Sequence, residues 1–492
     1  MDDIAKRLAA LPPEKRKLLE LALKQKGIAV PPIADAQKDS IPKRGHDGPS
    51  PLSIDQMRLW DSYQQTPEDP RHNNYNAQHI KGPLDPDALE NAYREIVRRH
   101  EAWRTAFRAI EGKPMQVVLP ELDVTMERID LRHLPQEERR KEADRLMWER
   151  TRIPFDLAEP PLFRILLLQI DDEEHIKLWV THHLITDRIT YMVTDKELLQ
   201  LYMSIVTEQP IHLPLPDVQY ADWAEWQVNH LQGEVLAELT SFWKGQLAGA
   251  SLKLDLPTDH PRPAQMSFVG KRKHFRLRSD LFRGINELAK REGVTPFMVL
   301  LAAYDALLHL FSKQEDIVVG TPYLNRSRLE IKSTVGYFLT PIVFRLDVTG
   351  EMTFTDLLHK VKEVNVAVHK HADIPFGLLV DLMELPPDES RHPIFQAMFV
   401  HVDVPTVQVL EGMPLSIVDL DIDGSTSKYD IVFAVLDANE EPKGFWEFNG
   451  DLFEQETIDQ IVQSMERLLE SVLSKPEQKL SDLLLQVEEA QL

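Results

Sequence analysis

The feature that most limits the fold is an alternation of short β-rich runs and helical patterns that occurs twice along the chain. A Pro- and Gly-rich break at residues 255–270 separates the two occurrences. Before the break, the strand-like runs Phe163 to Ile170 and His175 to Thr181 are followed by helical patterns at Thr190 to Ile205 and Tyr220 to Leu247. After the break, strand and helix patterns resume. Each part has about 200 residues, an ordinary domain size, so the sequence predicts two α/β lobes.

The predicted organisation has four segments. These are an N-terminal helical segment with a Pro-rich linker (1–50), a first lobe (51–250), a linker between the lobes (251–270) and a second lobe (271–492). The first segment begins with Met and has an amphipathic pattern, which would suit a natural chain start. We expect it to be an appendage to the two lobes.

Charge and cysteine content exclude several classes of protein. The 492 residues carry a net charge of −23 and include no cysteine. Disulfide scaffolds, thiolate metal sites and cysteine nucleophiles are therefore excluded, and the chain fits a reducing cytoplasm. No apolar run approaches the ~18 residues that cross a bilayer, and an acidic chain is a poor nonspecific binder of nucleic acid. We expect a cytoplasmic protein without membrane or nucleic-acid partners.

The segment that most favours chemistry is THHLITDR, at residues 181–188. A β-rich run ends there in His182 and His183, and Asp187 follows at a turn before a helical pattern. A loop at a strand end can present an imidazole to a cleft, and histidine exchanges a proton near neutral pH. A structural interpretation, two packed histidines at a strand end, explains the spacing equally well. The spacing alone leaves both interpretations open.

Seven segments extend this pattern along the chain. In order they are LSIDQMRLW (52–60), RRHEAWRTAF (98–107), THHLITDRIT (181–190), YADWAEW (220–226), VGYFLTPIVFR (335–345), HADIPFG (371–377) and DESRHPIF (388–395). From about residue 51 to the C-terminus, the chain resembles the condensation domains of nonribosomal peptide synthetases, whose sequence motifs these segments match in order. LPTDHPRP (256–263) is similar to the family's stretch between its lobes. Seven motifs in one order are far more specific than any one of them.

The resemblance implies a fold and a reaction. The fold is a pair of chloramphenicol-acetyltransferase-like lobes in a V-shaped pseudo-dimer, with an active-site tunnel between them. The reaction is peptide-bond formation: the amine of an aminoacyl thioester on an acceptor peptidyl carrier protein attacks the acyl or peptidyl thioester on a donor carrier protein. Both substrates arrive on phosphopantetheine arms, so the domain itself binds no cofactor or metal. The implied partners are the two carrier proteins and adjacent adenylation and thiolation domains, and the chain itself is expected to be a monomer.

The resemblance also assigns the catalytic positions, His183, His182 and Asp187. His183 accepts the proton of the attacking amine or positions that amine by a hydrogen bond, and the residues alone do not distinguish the two. His182 matches a supporting histidine, for which packing in the sheet is the alternative. Asp187 matches an aspartate that pairs with an arginine to hold the loop. Arg326 is the predicted partner, with Arg328 as the competitor.

Three further residues are predicted to line the substrate channel. Arg188 stands where the family has glycine, so it either gates the acceptor channel or turns away to pair with a carboxylate. Ser390 and Arg391 either line the tunnel or shape a Pro-rich turn. Short basic runs at 98–99 and 271–273 are candidate docking sites for acidic carrier proteins.

Two other functions remain open from the sequence. An ester-forming condensation enzyme would use the same base with an alcohol acceptor. A non-catalytic, condensation-like recruitment scaffold is disfavoured by intact His183 and Asp187 and weakly favoured by Arg188. The sequence shows no adenylation core, carrier-protein serine motif or thioesterase GxSxG motif. We therefore expect a stand-alone enzyme or one domain of a larger synthetase that makes an antibiotic or a siderophore.

Overall fold

The structure of the protein, a computed structural model, describes residues 40–403, 407–409, 415–420, 426–437 and 442–489. The predicted N-terminal helical pattern and the first part of its linker fall at residues 1–39 and lie outside the described residues.

The first part of the chain forms seven strands and six helices within the described residues. In order they are β1 (Ser50–Pro51), α1 (Ile54–Gln65), β2 (Asn73–Lys81), α2 (Pro86–Arg99), β3 (Thr105–Ile110), β4 (Lys113–Val118), β5 (Met126–Asp130), α3 (Gln136–Thr151), β6 (Phe163–Asp171), β7 (Glu174–His182), α4 (Arg188–Thr207), α5 (Tyr220–His230) and α6 (Gly233–Gln246).

The second part contributes eight more strands and six more helices to the described structure. In order they are β8 (Gly270–Arg276), α7 (Ser279–Glu292), α8 (Pro296–Ser312), β9 (Asp316–Tyr323), β10 (Thr340–Asp347), α9 (Phe354–Lys370), α10 (Phe376–Leu382), β11 (Ala397–Asp403), β12 (Val407–Val409), β13 (Ser416–Leu420), β14 (Ile431–Asp437), β15 (Lys443–Asn449), α11 (Gln455–Ser474) and α12 (Leu480–Glu489).

Each lobe is built on a six-stranded sheet. The strand order is β12-β13-β2-β7-β6-β5 in the first lobe and β10-β9-β11-β14-β15-β8 in the second, and β1, β4 and β3 form a small third sheet. Each six-stranded sheet has its own hydrophobic core. The prediction of two α/β lobes is confirmed, as are the predicted strands at 163–170 and 175–181, which form the antiparallel pair β6 and β7.

The strand that leads to the histidine motif is central in its sheet. β7 pairs with β2 on one side and with β6 on the other, and all its residues after Glu174 are buried. Even its lysine, Lys177, is enclosed and forms an ion pair of 3.1 Å with Asp195 of α4. A strand held by two neighbours and buried on both faces is a rigid support. The residues at its end, beginning with His182, are therefore well positioned.

The lobes exchange segments, which the predicted boundaries do not describe. β13 comes from the second part of the chain but pairs antiparallel with β2, and Leu415 and Ile417 are buried in the first core. Conversely, α6 packs Leu239 and Trp243 into the second core. β13 covers an edge of β2 that would otherwise expose unpaired backbone groups. The predicted lobe boundaries at residues 250 and 271 therefore do not separate the two hydrophobic cores, because each core includes residues from both parts of the chain.

The predicted single helix at 220–247 is wrong. The structure has two helices, α5 and α6, which are interrupted after His230, and Gly233 has a φ of +56°. The apolar residues of α5, such as Trp223, belong to the first core, whereas Trp243 of α6 belongs to the second. One straight helix cannot bury apolar residues in both cores, so the chain turns between them.

Among the described residues, no single helix is long and apolar enough to cross a bilayer. α7 and α8 reach that length and composition only as a pair, and they meet at 106°.

Candidate active site

The histidine motif lies at the end of β7, in the loop that leads to α4. His183 opens a 3₁₀ turn, His183–Ile185, that follows β7 directly. Asp187 is the N-cap of α4, and its Oδ1 accepts a hydrogen bond of 2.7 Å from the backbone N–H of Thr190. An aspartate at this position satisfies a helix N–H that otherwise has no partner. The residues between β7 and α4 therefore form a short loop that begins with a 3₁₀ turn and ends at the Asp187 N-cap.

His183 has one ring nitrogen tied to the backbone. Its Nδ1 lies 2.7 Å from the carbonyl oxygen of Thr186, and a carbonyl oxygen can only accept, so this contact requires a hydrogen on Nδ1. Burial, together with the charge of Lys428, lowers the pKa of His183 to about 4. The neutral ring then has a bare Nε2. A partly exposed imidazole with a free lone pair can accept a hydrogen bond or a proton from a substrate.

His182 is enclosed and faces other side chains. It is 4 % exposed, and its Nδ1 accepts a hydrogen bond of 3.1 Å from the backbone N–H of Leu184. Its ring lies near those of His72 and Phe155, with centroids 6.1 and 6.3 Å away. Burial lowers the pKa of His182 to about 3. His182 is thus a neutral residue that caps the turn carrying His183.

Asp187 meets Arg326 across the contact between the lobes. Nη2 of Arg326 lies 3.2 and 3.1 Å from the two carboxylate oxygens, and the side chain of Asp187 has no exposed surface. Oδ2 also accepts a hydrogen bond of 3.1 Å from the backbone N–H of Phe338. With these donors around it, the carboxylate is fully engaged. It holds the loop in place and has no oxygen directed to a substrate.

Arg326 is held from several sides, whereas the competing Arg328 has another location. Nη1 of Arg326 donates to the carbonyl oxygens of Ile331 and Thr334, at 2.8 and 2.5 Å. The guanidinium of Arg328 instead lies 4.3 Å above the ring of Trp226.

Four of the motif segments converge at the base of this loop. Oγ1 of Thr190 donates to the carbonyl oxygen of Gly336 at 2.8 Å and accepts from its N–H at 3.0 Å. The backbone can approach so closely only without a side chain, since a Cβ at Gly336 would lie 2.0 Å from the ring of Tyr220. The hydroxyl of Tyr220 donates to the carbonyl of Tyr337 at 2.6 Å and lies 2.9 Å from Oγ of Ser53. Motif segments that are far apart in the sequence thus meet in one contact region of the structure.

Arg188 lies at the first position of α4, and its side chain is exposed. Desolvation of the covered part of this side chain lowers the pKa of Arg188, and the carboxylate of Asp419 in β13 opposes that effect. Within the described residues, however, no carboxylate lies at ion-pair distance from it. Of the two predicted arrangements, a close carboxylate pair is therefore not formed.

Ser390 and Arg391 lie beside the linker between the lobes. Ser390 hydrogen-bonds to Asp388, and its carbonyl accepts a hydrogen bond of 3.1 Å from Nη1 of Arg262. Arg391 lies 3.6 Å from Asp388 and 3.8 Å from Asp255. These contacts are those of a turn that anchors the linker. In the part of the chain that the structure describes, neither residue contacts the loop of His183, so the structure does not bring them together with the catalytic motif.

The basic runs proposed for docking are largely paired with acidic residues. The ion pairs are Arg98–Glu95, Arg99–Glu197, Arg272–Glu447 and Lys273–Asp459. Arg99 is also 5 % exposed. Four of the five basic residues in these runs are therefore paired with a carboxylate, and Arg99 is also inaccessible to a partner.

Three residues of the site were missed by sequence reasoning. Nδ2 of Asn74 lies 2.9 Å from Nδ1 of His183. His72 is half-buried beside His182, and the charge of Lys428 adds to burial in lowering the pKa of both motif histidines. The run His72-Asn73-Asn74 at the start of a strand is an unusual accumulation of polar residues and was the available signal. No group of three or more His, Asp or Glu side chains suited to a metal occurs in the described ranges.

Comparison with known proteins identifies the family. The sequence model of the condensation domain matches residues 47–492. The chain belongs to the condensation domain family. This condensation domain is 37 % identical to one of the linear gramicidin synthase subunits of Brevibacillus parabrevis over 93 % of its own length, and 35 % identical to phosphinothricin tripeptide synthetase PhsC of Streptomyces viridochromogenes over 97 %. It spans 9 % and 43 % of the lengths of these two relatives.

The fold is that of the solved condensation domains. The first condensation domain of the CDA synthetase is similar with a TM-score of 0.72 at 17 % identity, and the likeness covers 88 % of this chain and 98 % of that one. The predicted chloramphenicol-acetyltransferase-like architecture is confirmed at the level of the fold.

Proposed function

We propose that this condensation domain forms an amide bond between two thioester substrates. The neutral amine of an aminoacyl thioester attacks the carbonyl carbon of an acyl or peptidyl thioester. A C–N bond forms, the C–S bond breaks, and the proton lost by the amine goes first to Nε2 of His183 and from there to the departing thiolate. The observation that carries this proposal is the partly exposed, neutral His183 with a bare Nε2 at the end of a rigid strand.

The low pKa of His183 favours a particular use of this nitrogen. An α-amino group has a pKa of ~8, so about a tenth of it is neutral at pH 7. A ring whose pKa is about 4 does not deprotonate an ammonium group, but it accepts a hydrogen bond from a neutral amine and orients its lone pair. As the C–N bond forms, the nitrogen becomes strongly acidic, and Nε2 can then take its proton. His183 thus positions the amine first and accepts the proton later.

The other two motif residues act through His183. His182 caps the turn, and Asp187 joins the loop to Arg326 and to the second lobe. We therefore propose His183 as the catalytic residue and His182, Asp187 and Arg326 as positioning residues. This differs from the sequence prediction, which placed all three motif residues in the catalytic set.

We further propose that both substrates arrive on phosphopantetheine arms of donor and acceptor carrier proteins, through a tunnel between the lobes of a V-shaped monomer in the cytoplasm. The gramicidin synthase relative that supports this is many times longer than this chain, as expected if neighbouring domains carry the substrates. Arg188 would gate the acceptor channel, because its exposed cation lies one residue from Asp187 and has no close counter-ion within the described structure.

The proposed reaction is tested with loaded carrier proteins and mass spectrometry of the carrier-bound product. We expect an amide product with the native chain and a loss of about 10²- to 10⁴-fold in its rate with His183→Ala. Arg145→Ala, which alters an exposed ion pair with Glu142 on α3, is the control and should retain the native rate. An alcohol acceptor tests the ester-forming alternative. If no loaded pair yields a product, the recruitment scaffold replaces the enzyme.

The gate is tested separately with Arg188→Gly, which restores the residue typical of the family. We expect this variant to accept bulkier acceptor substrates and to form product faster. An unchanged rate and an unchanged range of acceptors would remove the gate from the proposal but leave the reaction intact.

A further inference from the structure

Two neighbouring asparagines in β2 face opposite sides of the sheet. Asn73 is opposite His182 in the ladder, and Asn74 is opposite Thr181. Nδ2 of Asn73 donates to the carbonyl oxygens of Thr151 and Ile153, at 2.9 Å each, and so ties β2 to the end of α3. Because side chains alternate along a strand, Asn74 points the other way, into the loop of the active site. The two residues are chemically alike and have different surroundings.

The amide of Asn74 competes with a carbonyl oxygen for the same ring nitrogen. Its Nδ2 lies 2.9 Å from Nδ1 of His183 and 3.4 Å from Oγ1 of Thr186. An NH₂ group needs a bare Nδ1, whereas the carbonyl of Thr186, at 2.7 Å, needs a hydrogen on it. The two neighbours therefore favour opposite tautomers of His183.

The backbone carbonyl cannot turn, but the amide can. A half-turn about the last side-chain torsion of Asn74 replaces its NH₂ by its oxygen, which then accepts from Nδ1–H together with the carbonyl of Thr186. Asparagine can therefore offer a donor or an acceptor at one place without a change of charge. The conflict at His183 is thus resolved by a change in one torsion angle.

We propose that Asn74 is a positioning residue for His183, whose amide oxygen, turned to Nδ1, keeps the proton on that nitrogen before the amine attacks. With the oxygen turned in, Nε2 is bare and can receive the proton of the attacking amine. The imidazolium that results donates from Nδ1 to two oxygens, those of Asn74 and Thr186, and both hydrogen bonds strengthen when the ring becomes charged. The catalytic consequence rests on the proposed function, whereas the effect on the tautomer does not.

The other groups around the ring do not offer this adjustment. The titratable groups that face His183 come from both lobes and are His72, His182, Asp187, Tyr337 and Lys428. Lys428 disfavours the imidazolium, and Asp187 favours it but is fully engaged by Arg326. A neutral acceptor that can approach or withdraw by rotation is therefore the adjustable partner of the ring.

The experiment follows His183 by ¹⁵N NMR of histidine-labelled protein, with its signals assigned from the spectrum of His183→Ala, and records the pH dependence of kcat in parallel. In Asn74→Ala the imidazolium loses one acceptor, so we expect the acid limb and the NMR midpoint to move down by about one pH unit and kcat to fall about tenfold. In Asn74→Asp a carboxylate faces Nδ1, so we expect both to move up. Shifts in opposite directions are not explained by a loss of packing.

Asn73→Ala is the matched control. It removes two hydrogen bonds to the end of α3, so its Tm should fall while the NMR midpoint of His183 stays at the native value. Equal shifts in the two Asn74 variants, or no shift in either, would overturn the proposal. The NMR result stands even if no amide product is found, so a failure of the proposed function and a failure of this inference are distinguishable.

Discussion

Asp187 and Asp55 are both buried carboxylates where the lobes meet, 1 % and 6 % exposed. Asp187 receives two backbone N–H groups and both contacts from Arg326. Asp55, in α1, faces the N-terminal end of α10 and accepts a long hydrogen bond of 3.4 Å from the N–H of Gly377. Burial raises the pKa of Asp55 to about 6, and hydrogen bonds from Thr340, Gly377 and Phe376 oppose this effect only in part. Both contacts bury a carboxylate, but the neighbouring groups fully compensate its negative charge only at Asp187.

The difference lies in the position of the nearest arginine. Arg326 lies against Asp187, whereas the guanidinium of Arg58 lies 5.0 Å above the ring of Phe376 and only weakly favours the charge of Asp55. A buried charge is tolerated when its hydrogen bonds are complete and is costly otherwise. We infer that the contact at Asp187 holds the active loop through its complete set of hydrogen bonds. The contact at Asp55 is instead a source of pH dependence.

The largest expected effect is at Asp187. Asp187→Ala leaves the charge of Arg326 buried and unpaired, which costs roughly 3 to 5 kcal/mol in the free energy of unfolding. Denaturant unfolding of Asp187→Ala, Arg326→Ala and the double variant measures it. The double variant should be destabilised by less than the sum of the single variants, since neither charge is then left alone. Strict additivity of the two would contradict the pairing as the source of the stability.

At Asp55 we expect removal of the charge to raise the free energy of unfolding at pH 8, whereas at Asp187 it lowers it. Because the folded-state pKa is raised from 3.8 to about 6, the folded protein binds the proton more tightly than the unfolded chain does. The contribution of Asp55 to the free energy of unfolding is fully present below pH ~4 and is lost as the pH rises through about 6. Asp55→Asn cannot ionise, so at pH 8 it should be more stable than the native chain by about 3 kcal/mol, from about two pH units at 1.36 kcal/mol each.

The pH dependence is the check on Asp55. Measured at pH 4, Asp55→Asn should have nearly the native free energy of unfolding, because the carboxyl is then protonated in the folded state and about half protonated in the unfolded chain. A destabilisation at pH 8 would mean that the ionised carboxylate is compensated by groups other than those described, and the contrast with Asp187 would fail.

What the sequence predicts well at these contacts is local. The alternation of residues around His175 to Thr181 predicts a strand, and the residues after it predict a loop and a helix N-terminus, because each depends on a few neighbours. Resemblance adds Arg326 as the partner of Asp187, a residue that no local pattern would select. The polar run at residues 72–74 draws attention to Asn74, but its proximity to His183 cannot be predicted, since it depends on β2 pairing with β7 about a hundred residues away.

The exchange of segments between the lobes is unpredictable for a related reason. β13 reads as an ordinary short strand, and nothing in its sequence selects the edge of β2 over an edge of the second sheet. The motif of Ser390 predicts either a tunnel-lining residue or a turn, because its contacts with Asp388 and Arg262 depend on where the linker runs. Contacts between distant segments are set by packing, which a single sequence does not show.

The smallest effects are expected at two glycines, Gly336 near the contact of Asp187 and Gly377 beside Asp55. A Cβ at Gly336 would lie 2.0 Å from the ring of Tyr220. The backbone of Gly336 cannot shift away, because both its N–H and its carbonyl oxygen are hydrogen-bonded to Thr190. We expect Gly336→Ala to lower the free energy of unfolding by about 1 to 3 kcal/mol, the usual cost of overpacking, and to slow product formation because the loop of His183 shifts. Thermal unfolding and the carrier assay measure the two effects.

Gly377 is the matched position beside Asp55. A Cβ there meets its nearest neighbour, Cβ of Arg58, at an ordinary 3.7 Å, and the residue lies inside α10, where alanine is the better helix former by up to about 1 kcal/mol. Gly377→Ala should therefore be neutral or slightly stabilising in the same unfolding experiment. If both variants lost equal stability, the two contacts would be equally tight, and the contrast between Asp187 and Asp55 would lose its support from packing. A loss confined to Gly336→Ala would instead assign the rigid contact to the lobe junction that carries His183.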